Sequence, residues 1–142
     1  MQENFKAKLT KERDDFTKDF EGRMAKSMGD PAFGKFQLKK YADGSTYRGQ
    51  MSGHNRHGAG IYYYANGDIY AGDWRNNVFE GQGRYIFAGG EYYEGELVNG
   101  KKHGKGKYVY NNGNVYDGEW AFDKKNGYGN YSYFGSNGKK NG

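Results

Sequence analysis

From residue 41 onward the chain repeats itself every 23 residues. Tyr47, Tyr70, Tyr93 and Tyr116 form one column, and Gly49, Gly72, Gly95 and Gly118 a second. The pairs Gly58/Gly60, Gly81/Gly83, Gly104/Gly106 and Gly127/Gly129 form a third. A further column runs Tyr41, Tyr64, Phe87, Tyr110, Tyr133, followed three residues later by Gly44, Gly67, Gly90 and Gly113. Register holds without an insertion until the last loop, which chance does not produce. A period of this length means an array of small units, each burying its apolar face on the next. Four units occupy 47–69, 70–92, 93–115 and 116–138 within a repeat region of 47–142. Residues 31–46 hold a linker and half a unit that serves as a cap.

Within a unit the pattern is that of strands. Tyr47-Arg48-Gly49-Gln50-Met51 alternates with period two, as do the runs ending at Trp74, Leu97 and Trp120. One face gathers tyrosine, glycine and a large apolar residue. The other gathers Arg48/Gln50, Ala71/Asp73, Glu94/Glu96 and Asp117/Glu119, which belong in water. A turn follows, read as five residues in Asn99-Gly100-Lys101-Lys102-His103, and the second strand is expected to begin at the Gly-x-Gly pair. Asn/Gly/Asp turns such as Ala65-Asn66-Gly67-Asp68 then close the unit. Each unit is thus a β-hairpin, and since an isolated hairpin is marginal in water, hairpins must join into one twisted sheet. Tyrosine rings are expected to fill the space that the inward glycines leave. The fold class is all-β: an elongated single-sheet solenoid of antiparallel hairpins with an N-terminal helix.

This reading settles an ambiguity in the composition. The chain has 25 glycines, 15 tyrosines and only 19 Leu, Ile, Val and Phe residues, an aliphatic content low enough to suggest disorder. The period accounts for it, because a sheet one hairpin thick has no centre for leucine to fill. Absence of cysteine excludes a disulfide framework and thiolate metal sites. No apolar run reaches the roughly 18 residues of a membrane helix.

Residues 1–30 differ. Phe5, Leu9, Phe16, Phe20, Met24 and Met28 make one narrow stripe at helical spacing, and Lys8–Glu12, Lys11–Asp15 and Asp14–Lys18 are complementary i,i+4 pairs. Gly29 and Pro31 supply a helix stop. So thin a stripe makes no core alone, and the helix is expected to dock on the repeats or on another protein. Its charge balance argues against a membrane-surface helix. The N-terminus lacks the apolar stretch of a secretory signal, and its seven acidic residues do not suit a mitochondrial leader, which points to a cytoplasmic protein.

The pattern Tyr-x-Gly-x-(Trp/Leu/Met), a turn, His-Gly-x-Gly, then an aromatic and a second Gly-x-x-Tyr resembles the MORN (membrane occupation and recognition nexus) repeat. Tyr93–Leu97, Lys102–Gly106 and Tyr110–Trp120 carry it best, and His57-Gly58-Ala59-Gly60 repeats its central part. The histidine column becomes Glu80 and Asn126 in the second and fourth units, and Lys39 replaces the aromatic in the half-unit. The resemblance implies a curved β ribbon without catalysis of its own, serving as a scaffold in cytoskeletal assemblies or at membranes. The run Lys101–Trp120 is especially similar to radial-spoke-head proteins, which implies the cytoskeleton and a ciliary or flagellar axoneme as the setting.

Candidate sites follow from what the columns leave unexplained. The Gly-x-Gly pairs lead into strands rather than helices, which excludes phosphate-cradling loops. His57 and His103 lie about 20 Å apart at strand spacing, too far to share a metal, and are expected to hydrogen-bond within their turns. Ser52 and His54 make no triad, so no catalytic residue, metal or cofactor is expected. The aligned positions Asn55-Arg56, Val78-Phe79, Lys101-Lys102 and Lys124-Lys125 read as a basic edge (Arg56, Lys101, Lys102, Lys124, Lys125) interrupted by one apolar pair. Val78 and Phe79 are therefore expected to anchor a partner protein or the helix stripe, with Tyr63 as a further exposed contact. Partners are expected to be extended segments or helices of other proteins, with dimerisation through ribbon ends and anionic lipid as further options. The acidic strand face argues against nucleic acid.

Overall fold

The structure is a computed structural model and describes residues 2–26 and 37–133. One helix, α1 (Gln2–Lys26), precedes nine strands: β1 (Gln37–Lys40), β2 (Thr46–Ser52), β3 (Asn55–Tyr63), β4 (Ile69–Arg75), β5 (Val78–Ile86), β6 (Tyr92–Val98), β7 (Lys101–Val109), β8 (Val115–Ala121) and β9 (Lys124–Ser132). They form a single antiparallel sheet in chain order, each strand paired only with its sequence neighbours. The helix-stop residues Gly29 and Pro31, with Met28, lie outside the described residues, as does the side chain of Phe5.

The second strand of each unit starts three residues before the Gly-x-Gly pair, not at it. The connection is a two-residue turn: Gly53-His54, Asn76-Asn77, Asn99-Gly100 or Phe122-Asp123. In the last three both residues have positive φ, the geometry of the tight hairpin turn that matches strand twist. Lys101-Lys102 and its counterparts thus open strands rather than form turns. The early start is absorbed by a bulge. Gly49 pairs Gly60 while Met51 pairs Arg56, so β3 carries two more residues than β2 over that stretch, and the shift recurs in the other three hairpins. The first glycine of each pair sits in the bulge at positive φ, +91° at Gly58, which disfavours any residue with a Cβ.

The second glycine has another reason. Gly49, Gly60, Gly72, Gly83, Gly95, Gly106, Gly118 and Gly129 lie in register from β2 to β9, one per strand. Beside them runs a row of tyrosines: Tyr47, Tyr62, Tyr70, Tyr85, Tyr93, Tyr108, Tyr116 and Tyr131. The rings of Tyr47, Tyr70, Tyr93 and Tyr116 lie flat over the glycines. A Cβ on Gly60, Gly83, Gly106 or Gly129 would land inside the ring of the tyrosine above it. Each of these hydroxyls then donates to a backbone carbonyl three residues on, from Tyr47 to Gln50 at 2.6 Å and from Tyr93 to Glu96 at 2.8 Å. A residue class that weakens most strands is here the floor of the core.

The opposite face carries a second core. Ile61, Ile69, Ala71, Ile86, Tyr92 and Val109 form an apolar patch, and α1 lies on it through Leu9, Phe16, Phe20 and Met24. All three isoleucines of the chain are here. The helix therefore docks on the repeats themselves, on the side read from sequence as solvated. Leu9 is almost fully buried, a contribution of about 2 kcal/mol. Arg84 lies between the rings of Phe16 and Tyr92, at 4.1 and 4.2 Å from their centroids, and pairs with Glu94. At the other end Glu21 accepts from Tyr63 Oη and pairs with Arg48 at 3.0 Å.

Candidate functional site

The face opposite α1 presents a surface whose side chains repeat from unit to unit. Its outer layer is an unbroken ladder of rings: Tyr41, Tyr62, Tyr64, Tyr85, Phe87, Tyr108, Tyr110, Tyr131 and Tyr133. Successive centroids lie between 4.5 and 6.2 Å apart. Each contact at such distances is worth about 0.5–1.5 kcal/mol beyond burial. Trp74 and Trp120 stand edge-on to Tyr70 and Tyr116, and their indole N–H groups donate to Gly60 O and Gly106 O, each at 3.0 Å.

Along the turn edge of this ladder runs a column of cations. Arg56 sits 4.9 Å from the rings of both Tyr62 and Trp74, Lys102 5.5 Å from Trp120, and Lys125 4.9 Å from Tyr116. The ring quadrupole attracts each cation by about 0.5–2 kcal/mol. The second unit has Phe79 in this column. It stacks on Tyr70 at 4.1 Å and stands edge-on to Trp74 and Tyr85. Phe79 is thus half-buried in the aromatic face, on the far side of the sheet from α1, and takes no part in docking the helix. Val78 beside it is 39% exposed. The expected basic edge also divides. Arg56, Lys102 and Lys125 turn onto the rings, while Lys101 and Lys124, one residue earlier, point to the other side of the sheet and are exposed.

Along the loop edge, carboxylates tie one unit to the next. Asp68 accepts from Tyr85 Oη and from the Ala88 amide, both at 2.8 Å, and Glu91 accepts from Tyr108 Oη and the Asn111 amide. Burial raises the hydroxyls of Tyr85 and Tyr108 well above the ordinary phenol range, and these carboxylate bonds add to it. Burial likewise raises Tyr47, Tyr64 and Tyr70, and pushes Tyr93 up to about 12. These raised hydroxyls stay protonated at physiological pH, and formal charges flank the ladder at its two borders.

Two hollows open in this face. One of about 220 Å³ is lined by Arg56, Tyr62, Tyr64, Trp74, Asn77, Val78, Phe79 and Gly100. The other, about 190 Å³, is lined by Phe79, Tyr85, Phe87, Tyr93, Leu97, Gly100, Lys102 and Asp123. Adding 23 to Arg56, Tyr62, Tyr64, Trp74, Asn77, Phe79 and Gly100 gives seven of the second set, so the hollows are one feature repeated a unit apart. A larger hollow of about 640 Å³ lies elsewhere, over the bulges near Gln50, His57, Asp73 and Glu80. Two of its polar groups are engaged by the bulges: Gln50 accepts from the Ala59 amide at 2.9 Å and Asp73 from the Gln82 amide at 3.1 Å.

Three further expectations need correction. Tyr63 is no exposed contact, because α1 covers it and its hydroxyl is held by Glu21. Gln50, Asp73 and Glu96 do not simply face water; each accepts the backbone N–H that its bulge frees. His57 accepts from the Asn76 amide of the next unit's turn at 3.2 Å, and His103 meets Phe122 of the next turn at 5.3 Å, so neither bonds within its own turn. Leu9 is buried against the sheet, while Phe16 and Phe20 pack on it and stay partly exposed. Among the described residues no group of three metal-ligating side chains converges, and no helix is long and apolar enough to cross a membrane.

Fold and surface together define an open repeat protein in which each 23-residue unit adds one hairpin to a single sheet. The MORN repeat model matches residues 47–69, 70–92, 93–115 and 116–135, and the chain belongs to the MORN repeat family. That is a non-enzymatic repeat type, associated with protein interaction or with membranes. No curated protein matches the chain.

Proposed function

We propose that this chain is a non-catalytic scaffold that binds other proteins through its aromatic face, as part of a large assembly. The observation that carries the reading is the asymmetry of the sheet. One face is covered by the chain's own helix, and the other holds a nine-ring ladder with two repeated hollows and nothing over them among the described residues. An axonemal structure of a cilium or flagellum, such as a radial spoke, is the setting we favour, on the likeness of the Lys101–Trp120 run to radial-spoke-head repeats. The test is purification of the tagged full chain from ciliated cells. The expected result is a stoichiometric complex that survives high salt and is lost with Phe79→Asp. Recovery of the chain alone would count against the scaffold.

A lipid-associated adaptor is the second reading. Its support is the exposed pair Lys101 and Lys124 on one side of the sheet, with Phe122, 70% exposed, at the tip of the turn before Lys124. Each lysine near an anionic surface is worth about 1 kcal/mol, enough for weak attachment. Flotation with phosphatidylserine vesicles at physiological salt separates the two readings: the adaptor floats and the scaffold does not.

A further inference from the structure

The spacing of the two hollows selects among the shapes a partner segment can take. They are one unit apart, and a unit is two strands wide, which is about 9.6 Å across the sheet at ordinary strand spacing. A polyproline-II helix rises about 3.1 Å per residue with three residues per turn, so every third side chain recurs at about 9.3 Å on one side. A β-strand places same-side residues about 6.7 Å apart, and its residue near 9.6 Å points away. An α-helix comes closest at seven residues, about 10.5 Å, and drifts by about 0.9 Å per unit against about 0.3 Å for polyproline II. Over a sheet of four units only polyproline II stays in step.

The chemistry of the face agrees. Proline-rich segments dock on grooves walled by aromatic rings, because their backbone is already ordered and the proline ring packs on a flat π surface. Here each hollow is walled by two rungs of the ladder, Tyr62 and Tyr64 in one and Tyr85 and Phe87 in the next. Charge sets the preference at the intervening positions. Lys102 and Lys125 border the ladder at its β7–β9 end, with Asp123 at 3.5 Å from Lys102 as the carboxylate beside them. In the second unit Phe79 removes the cation.

We propose that the aromatic face is a groove for a polyproline-II segment of a partner protein, lying across the strands with prolines one turn apart in the two hollows and acidic residues beside Lys102 and Lys125. This rests on the scaffold reading above and gives that partner its chemical class.

The test uses the full chain and synthetic, fluorescein-labelled peptides followed by anisotropy. The probe is a twelve-residue peptide of four Pro-Pro-Glu triplets. Controls are a peptide of the same composition with glutamate at irregular spacing, a Pro-Pro-Lys peptide, and a glutamate-rich amphipathic α-helix. The in-register acidic peptide is expected to bind at least tenfold more tightly than the irregular and the lysine peptides. Lys125→Glu is expected to cost it about fivefold or more. Lys124→Glu, the same charge change on the other side of the sheet, is expected to leave binding unchanged, and circular dichroism checks that both variants fold. Equal binding of regular and irregular peptides, or equal loss in both variants, would overturn the proposal. Binding of the helical peptide alone would overturn it while leaving the scaffold reading standing. An isolated chain that neither binds any peptide nor enters a complex in cells would sink both.

Discussion

The two faces of this sheet are built by different rules. The aromatic face is assembled from rows that every unit supplies: a glycine floor, a tyrosine lying on it, and an outer ladder of rings. The helix face is assembled from residues that the first three units supply without a shared pattern, Ile61, Ile69, Ile86, Tyr92 and Val109, and it is closed by an element outside the period. The first core comes from repetition and the second from an exception to it. An array can thus build a continuous surface without a conventional interior, while a docked helix gives it a front and a back.

The contrast can be broken most thoroughly with alkali. Tyr47, Tyr64, Tyr70, Tyr85, Tyr93 and Tyr108 on the aromatic face all have raised folded-state pKa values, chiefly from burial. The unfolded chain loses these protons near pH 10, so above that pH it binds fewer protons than the folded chain and stability falls as pH rises. Below pH 10 the contribution is fully present. Circular dichroism and tyrosinate absorbance, followed together, should show cooperative unfolding between about pH 10 and 12. Stepwise tyrosine titration with the sheet intact would contradict it.

Gly106→Ala should have the largest effect of the substitutions considered below. Its Cβ would meet the ring of Tyr93, which is buried and held by its hydrogen bond to Glu96 O. A loss of about 3 kcal/mol in urea unfolding is expected. On the other face, Leu9→Ala should cost about 2–3 kcal/mol, and it should release the helix while the near-ultraviolet signal of Trp74 and Trp120 persists. If that signal collapses with the helix, the faces are one cooperative unit rather than two. The smallest effect belongs to Phe79→Lys, which returns the cation of the other units to a site bordered by Tyr70, Trp74 and Tyr85. Stability should change by less than about 1 kcal/mol, since one ring partner is exchanged for another.

What could be read from the sequence divides along the same line. The strands, their order and the ring-on-glycine face are visible because column and period carry them: Tyr70, Gly72 and Trp74 recur as Tyr93, Gly95 and Leu97. The bulge is harder to see. Gly81 and Gly83 are two residues apart and share a motif, yet one answers to backbone angle and the other to a ring above it, and spacing alone does not tell them apart. The helix site was obscured by the period itself. The residues just before the tyrosine column are Thr46, Ile69, Tyr92 and Val115, and no single chemistry repeats among them. A signal was nonetheless there: all three isoleucines fall at positions that alternate away from the tyrosines. Phe79 was legible only in part, because its column shows that it differs and not which face it joins. It departs from its column in charge, but a phenyl ring and a guanidinium do the same work over Trp74.

Because each strand is bonded only to its sequence neighbours, the sheet has a direction in which it is weak. Tension between its first and last strands would act straight along the hydrogen bonds and open them one strand at a time, like a zipper. The helix lies on that line. Through Glu21 it holds Arg48 on β2 and Tyr63 on β3, and through Phe16 it holds Arg84 on β5. Under load α1 acts as a splint across β2, β3 and β5, while β9, which gives no residue to the helix-side core, can peel away singly.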